Sequence, residues 1–330
     1  MSVAALLLSD SRFPAGGHAH SGGVEPAVSA GTVADLGSLE AFLRGRLRTA
    51  GLVAAAVAAA ACARAAAQRH PGERDVTVLR AQAVDEGRAG ERDGATLAHS
   101  DAALGADADE CRDGDGSADR ATGDQRLVTD DGFDFWAELD AEADARTPSP
   151  AQRAASRRQG RALLRAARVA WPDDRGLADL AAFTSVTART RRAGTSPSAR
   201  ATGAGAHAGA AVSGGGNAAQ EDGEYRGGPH HAIALGVAAA AAGCCAADAA
   251  RIAAYQSAAG ATSAAVRLLA FDPMRATAIL SGLAGEIDLI AERAAAAADG
   301  PLADLPCPSA PALDLLAEAH VRTEVRLFES

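Results

Sequence analysis

The chain is predicted to be all-α: a single helical-bundle domain carrying two disordered insertions and a C-terminal tail. Three observations carry this prediction. Leu, Ile and aromatic residues recur at three- and four-residue spacing outside two polar stretches, while no alternating Val/Ile/Thr run is bounded by an Asn-Gly or Asp-Gly hairpin turn. Helix start signals stand where the periodic runs begin. The third is composition: of 330 residues 48% are hydrophobic and only 3% aromatic, and the hydrophobic share leans on Ala, so the packed core is smaller than the length suggests.

Taken in order, the apolar start at 3–8 follows no basic residue, is short for a secretory h-region and lacks an A-x-A-like cleavage site, so no export signal is read there. It runs into Pro14-Ala15-Gly16-Gly17-His18-Ala19-His20-Ser21-Gly22-Gly23-Val24-Glu25, the window richest in chemistry: two imidazoles, a hydroxyl, a Gly pair and a carboxylate. Ser38 can cap a helix with Leu39, Phe42, Leu43 and Leu47 at helical spacing, and Gly51 separates it from an Ala-rich run through Ala67. Periodicity is then lost over 69–132; between His70 and Gly132, 16 acidic residues against 7 arginines leave −9 of the formal net charge of −10. With few apolar groups to offset backbone entropy, this stretch is expected to be disordered.

Phe133, Trp136 and Leu139 mark the next helix. Ser149-Pro150-Ala151-Gln152 is a capping box with Pro at the first helical position, and the helix that follows carries Leu163, Leu164 and Ala167 on one side. Six arginines (153, 157, 158, 161, 165 and 168) surround the rest of it, and Trp171-Pro172 stops it. A short helix follows at Leu177, Leu180 and Phe183, then a Gly/Ala/Ser-rich linker at 194–228 with the character of a second disordered insertion. Pro229 opens a helix through Ile233 and Val237; another, from about Asp248, carries Ile252, Val266 and Leu269 with a break near Gly260. Asp272-Pro273 starts one with Leu280, Leu283, Ile287 and Ile290 in register. The tail, 300–330, is Pro-rich, adds a short amphipathic helix from Leu313 and ends in apolar Leu327-Phe328.

Composition also excludes chemistry. The 32 basic residues are all Arg, so neither a P-loop lysine nor a Schiff-base amine is available. Five cysteines, odd in number and without a C-x-x-C pair, make neither a disulfide framework nor a zinc site, and vicinal Cys244-Cys245 reads as packing. The longest apolar stretch, 232–247, is short of the roughly 18 residues of a spanning helix, so a cytoplasmic protein without membrane contact is expected.

Two chemical readings remain open. His18 and His20 are candidate metal ligands, and a metal-dependent hydrolase would use such an H-x-H at the end of a first barrel strand, with further imidazoles and an Asp on later strands. The arginine-rich helix could contact nucleic-acid phosphates, against which stand a sequence pI of about 5.3 and the lack of a recognised module.

The segments in their order resemble the UreF family of urease accessory proteins. The turn at 14–25 fits the pattern P-x-G-x-[FH]-x-[YH]-S-x-G-L-E with Val24 where Leu is usual; Arg157-Arg158-Gln159-Gly160 with Leu163-Leu164 is similar to R-x-x-G-x-x-L-L. His231 to Gly236 resembles an H-x-x-x-x-G helix start, 266–273 a conserved-type [AV]-[VI]-[RK]-L element, and 320–328 an H-E-x-x-x-R-L-F ending with Val321 in place of the acid. The resemblance implies an all-α homodimer without catalytic activity or cofactor. It bridges UreD/UreH and the nickel-carrying GTPase UreG, and the assembly delivers nickel to apo-urease. The turn residues His18, His20, Ser21 and Glu25 and the tail residues Arg326, Leu327 and Phe328 are the expected partner-binding positions, with no nucleic acid as partner.

Overall fold

A computed structural model of the chain describes residues 3–10, 13, 20–69, 130–194, 227–323 and 327–328. These are helical, with no β-strand among them, and fall within one structural unit. The expected insertions at 69–132 and 194–228 lie outside the described residues except at their edges, where Arg69 and Gly194 close helices, Asp130 opens one, and Gly227 and Gly228 are placed.

The helices are α1 (Val3–Ser9), α2 (Val24–Ser29), α3 (Leu36–Arg46), α4 (Leu52–Arg69), α5 (Asp130–Ala145), α6 (Pro150–Ala170), α7 (Arg175–Gly194), α8 (His231–Ala241), α9 (Ala246–Leu269), α10 (Pro273–Gly282), α11 (Ala284–Ala297) and α12 (Pro311–Val321). Several starts follow from the side chains the sequence supplies. Ser149 accepts the Gln152 amide at 3.2 Å and Pro150 takes N1, while Asp272 accepts the Met274 amide at 2.9 Å ahead of Pro273. The second arm of the cap at Ser149 comes from far along the chain. Glu318 of α12 accepts from Ser149 Oγ at 2.5 Å and from the Ala151 amide at 2.9 Å, and these hydrogen bonds hold its carboxyl below the usual range.

Four expectations need correction. Ser38 is not the cap of α3: Asp35 accepts its amide at 2.7 Å, and Ser38 Oγ accepts the Asp35 amide at 3.0 Å, a reciprocal box read one turn too late in the sequence. Gly51 does not end a helix either. α3 passes through a π-helical turn, Leu47–Gly51, into α4, making one helix from Leu36 to Arg69 of 34 residues. A Cβ on Gly51 would lie 2.9 Å from Ser257 Oγ, so the glycine permits the approach of α9. By length and composition this helix could cross a membrane, yet 67% of its most apolar window is buried inside the fold. α9 is unbroken at Gly260, since one glycine in a packed helix costs only about 1 kcal/mol. The helix expected from Asp272-Pro273 divides at Leu283 into α10 and α11 without losing the register that buries Ile287 and Ile290.

α4 is the centre of the bundle, packed against α8, α9 and α11, and α8 packs in turn on α6. The α4–α8 seam is made of small residues: Ala55 to Ala61 and Ala238 to Ala240 are at most 2% exposed. Gly236 sets its closeness. A Cβ there would fall 2.2 Å from the Ala58 carbonyl oxygen and 2.7 Å from Ala61 Cβ. The tail is partly docked, since α12 packs on α6 and α2 and buries Leu313 and Ala317.

Gly236→Ala is therefore expected to destabilise the chain by about 1 to 3 kcal/mol or more, read as a lower urea midpoint with unchanged slope, because a backbone carbonyl cannot swing aside. Gly243→Ala, where no atom lies within 4 Å of the added carbon, strains only a turn with positive φ and should cost less. Equal losses for the two would refute the close seam.

Candidate functional site

The N-terminal turn enters α2 through Gly22 (φ 61°) and Gly23 (φ 88°), both left-handed, and the Val24 amide closes the turn on the Ser21 carbonyl at 3.2 Å. Two successive residues at positive φ explain the Gly pair. The turn aims Glu25 inward from the first turn of α2, where it is only 7% exposed.

Its carboxylate meets the other end of the chain. Glu25 Oε1 accepts the Leu327 amide and Oε2 the Phe328 amide, each at 2.8 Å. His320, at the end of α12, sets Nε2 3.3 Å from Glu25 Oε2 and 3.1 Å from the Phe328 carbonyl oxygen. Phe328 is thereby folded in, 8% exposed, with the Arg267 guanidinium 5.1 Å above its ring, while neighbouring Leu327 remains 74% exposed. Charge-assisted hydrogen bonds to two adjacent amides are among the stronger polar contacts a fold makes.

Beside this clasp opens a cleft of about 570 Å³ between the N-terminal turn, the π-helical turn, α9 and the start of α8. His20 and His231 both line it. Burial pushes the His231 imidazole down to about 4, with a smaller contribution from the nearby His20. Behind the cleft lies a buried ionic network. Arg157 of α6 donates to Asp140 Oδ1 and Oδ2 at 2.8 and 2.9 Å, to Asp144 Oδ2 at 2.9 Å and to the Gly228 carbonyl at 2.7 Å. His230 bridges Asp144 Oδ1 at 2.8 Å and Ser156 Oγ at 3.1 Å. Burial opposes ionisation of Asp144, but the His230 hydrogen bond and the Arg157 charge outweigh it and hold the carboxyl at about 2.

Of the expected site residues, His18 and Arg326 lie outside the described residues. His20 is half-buried at the cleft, Leu327 is exposed, and Glu25 and Phe328 are joined by the clasp instead of being displayed separately. Ser21 is fully buried and its hydroxyl has no hydrogen-bond partner. The hydrolase alternative fails on the fold, because the strands whose ends would carry its further ligands are replaced by helices. Among the described residues no three His, Cys, Asp or Glu side chains gather to hold a metal. The six arginines do not form one solvated face: Arg157 is 6% exposed and committed to carboxylates, Arg153 donates to the Thr147 and Pro148 carbonyls and Arg161 to the Gly227 carbonyl, while Arg165 and Arg168 are exposed. Sequence reasoning placed His320 only as the first residue of the 320–328 element, and it passed over Glu318 and Arg46, whose partners Ser149 and Ser257 stand 169 and 211 residues away and leave no local pattern.

A family model described as UreF matches residues 33–284. The chain is 35% identical over 326 residues to the urease accessory protein UreF of Mycolicibacterium vanbaalenii, covering 98% of this chain and 97% of the relative. It is 34% identical over 325 residues to the UreF of Mycobacterium marinum, with 98% and 97% covered. To that of Mycobacterium tuberculosis it is 31% identical over 330 residues, with 100% and 99% covered.

Two outcomes follow from this geometry. Glu25→Gln keeps the side-chain shape but removes one charged acceptor, so it should cost about 1.5 to 3 kcal/mol and speed amide exchange at Leu327 and Phe328; unchanged exchange there would remove the clasp. His231 has its folded-state value lowered to about 4 from 6.5, so the unfolded chain takes up a proton first on acidification. Its contribution to stability is complete above pH 6.5 and is lost between there and about 4. Urea midpoints measured across that window should fall less steeply in His231→Gln than in the parent chain.

Proposed function

The chain belongs to the UreF family of urease accessory proteins, which are non-catalytic, and from that premise we propose that it acts as a cytoplasmic homodimeric scaffold joining UreD/UreH to the GTPase UreG for nickel delivery to apo-urease. The observation that carries this reading is the meeting of the two ends of the chain. The turn 20–25 and the segment 327–328, the expected partner-binding positions, share one carboxylate and present Leu327 beside it. A large apolar side chain left exposed next to a rigid, buried anchor is the arrangement of an interface residue.

Chemistry by the chain itself is not required. With all 32 basic residues Arg, the phosphate-binding lysine of a P-loop belongs to another protein, consistent with a separate GTPase. The scaffold acts by binding linkage: it favours one nucleotide state of UreG only by the difference between its affinities for the two states, a coupling of about 1 to 3 kcal/mol in typical systems. Nickel is cargo of the assembly. His18 and His20 are proposed to contact partners, with metal ligation by them a secondary role.

Leu327→Asp is expected to lower capture of UreD/UreH about 10-fold or more while leaving the melting temperature of the isolated chain unchanged, because the side chain it replaces is solvent-exposed. Co-purification from cells expressing the urease cluster measures it. Recovery of both UreD/UreH and UreG at parental levels would show that this end of the chain is not the interface.

A further inference from the structure

The cleft beside the clasp contains a cation that has no carboxylate of its own among the described residues. Arg46 stands where α3 enters the π-helical turn, and its one hydrogen bond runs from Nε to the Ser257 carbonyl at 3.0 Å. The turn backbone rests on the other face of the group: a Cβ on Gly22 would lie 3.2 Å from the guanidinium carbon. The neighbouring arginines are otherwise committed, Arg44 to Glu40 and Glu286, Arg48 to Glu286, and Arg146 to Glu142 and the Leu305 carbonyl. Arg267, at the rim, reaches only Ser263 Oγ at 3.4 Å and the Phe328 ring. Among the described residues Asp10 is the one acidic side chain on the cleft wall, and it has contacts of its own.

Burial lowers the Arg46 guanidinium to about 10, the direction that a desolvated and unpaired cation takes. Ser257 adds a second unanswered group, a buried hydroxyl without a hydrogen-bond partner. Charged groups held out of water are ordinarily paired, and a planar fork with free N–H groups matches a carboxylate in geometry and charge. The rim is open, with Tyr255, Ser263 and Arg267 exposed, so a segment of chain can lower a side chain into it. A volume of about 570 Å³ accommodates a few side chains.

We propose that this cleft is a receptor for an Asp or Glu side chain presented by a partner protein, with the Arg46 guanidinium as the group that pairs with its carboxylate. The cleft then gives the scaffold a specificity contact distinct from the clasp. The proposal rests on the scaffold reading only for the partner being a protein; carboxylate recognition by Arg46 stands or falls by itself.

The test follows the Arg46 Nε–H resonance of the full chain by NMR, assigned through its loss in Arg46→Lys. Probes are a blocked Gly-Glu-Gly peptide, its Gln counterpart and free glutarate, all at constant ionic strength. Expected is a saturable shift with the Glu peptide, at least ~10-fold weaker response to the Gln peptide, and loss of peptide binding in Arg46→Gln, as a charge-assisted fork requires. Should Arg46→Gln fail to fold, Arg46→Lys, which keeps the charge but not the fork, takes its place and is expected to bind several-fold more weakly. Equal responses to the Glu and Gln peptides, or no saturable shift with either, overturn carboxylate recognition while leaving the scaffold reading untouched. Glutarate binding tighter than the peptide overturns the protein partner in favour of a small dicarboxylate. Lost UreD/UreH capture in Leu327→Asp with normal peptide binding separates the clasp from the cleft.

Discussion

The rest of the structure depends on how closely helix backbones approach one another. An alanine buries little area, so a core built from it is stable only if the helices come together until main chain meets main chain. Glycines mark where that limit is reached. Gly236 admits α8 to the Ala58 carbonyl, Gly160 admits α6 to Pro229 and His230, where an added Cβ would lie 2.0 Å from a carbonyl oxygen, and Gly51 admits α9 to the long central helix. Dispersion between many small atoms at contact distance replaces what a few large side chains contribute elsewhere. The same residues are the G of R-x-x-G and of H-x-x-x-x-G, so those patterns have a steric cause.

Beside this apolar seam one group of buried polar side chains is closely matched. Arg157 takes two carboxylates and a carbonyl, and Asp144 divides its oxygens between Arg157 and His230. Burying such a network costs desolvation that the ion pairs barely recover, so its contribution is to position and not to net stability. What it positions is the segment 227–230, which leads into α8 and brings His231 under the N-terminal turn. Arg153, Arg157 and Arg161 of the arginine-rich helix are thus explained by internal carboxylates and carbonyls before any outside partner is invoked.

Much of this could be read from residues close in sequence. The helices with Leu at three- and four-residue spacing, the cap at Ser149 and Pro at the first position of α6 and α10 are local, and each depends on neighbours within one turn. The failures share a cause as well. Gly51 and Gly260 looked like breaks because a glycine signals flexibility locally; Gly51 instead admits a helix some 200 residues away, while Gly260 sits in an unbroken helix where an added Cβ would meet nothing within 4 Å. The intramolecular partners of Glu25 were equally out of reach of local reading: the amides that satisfy it are 302 and 303 residues distant. Arg46 carried no signal, since an arginine at helical spacing among polar residues is ordinarily solvated.

Both ends of the chain depend on one carboxylate, and this limits how a partner can act there. A protein that draws Leu327 and Phe328 into its own surface removes the two amides from Glu25 and exposes the Phe328 ring, so it must return at least what the clasp provided. One that binds over Leu327 with the clasp intact bears no such cost and gains the benefit of a preorganised surface. Population arithmetic then follows: strengthening a clasp that is already closed weakens the first kind of partner by that factor and leaves the second, which needs no opening, unaffected. His320 touches both Glu25 and the Phe328 carbonyl, and Arg267 covers the Phe328 ring, so a partner that opens the clasp must release these contacts as well as the two amides.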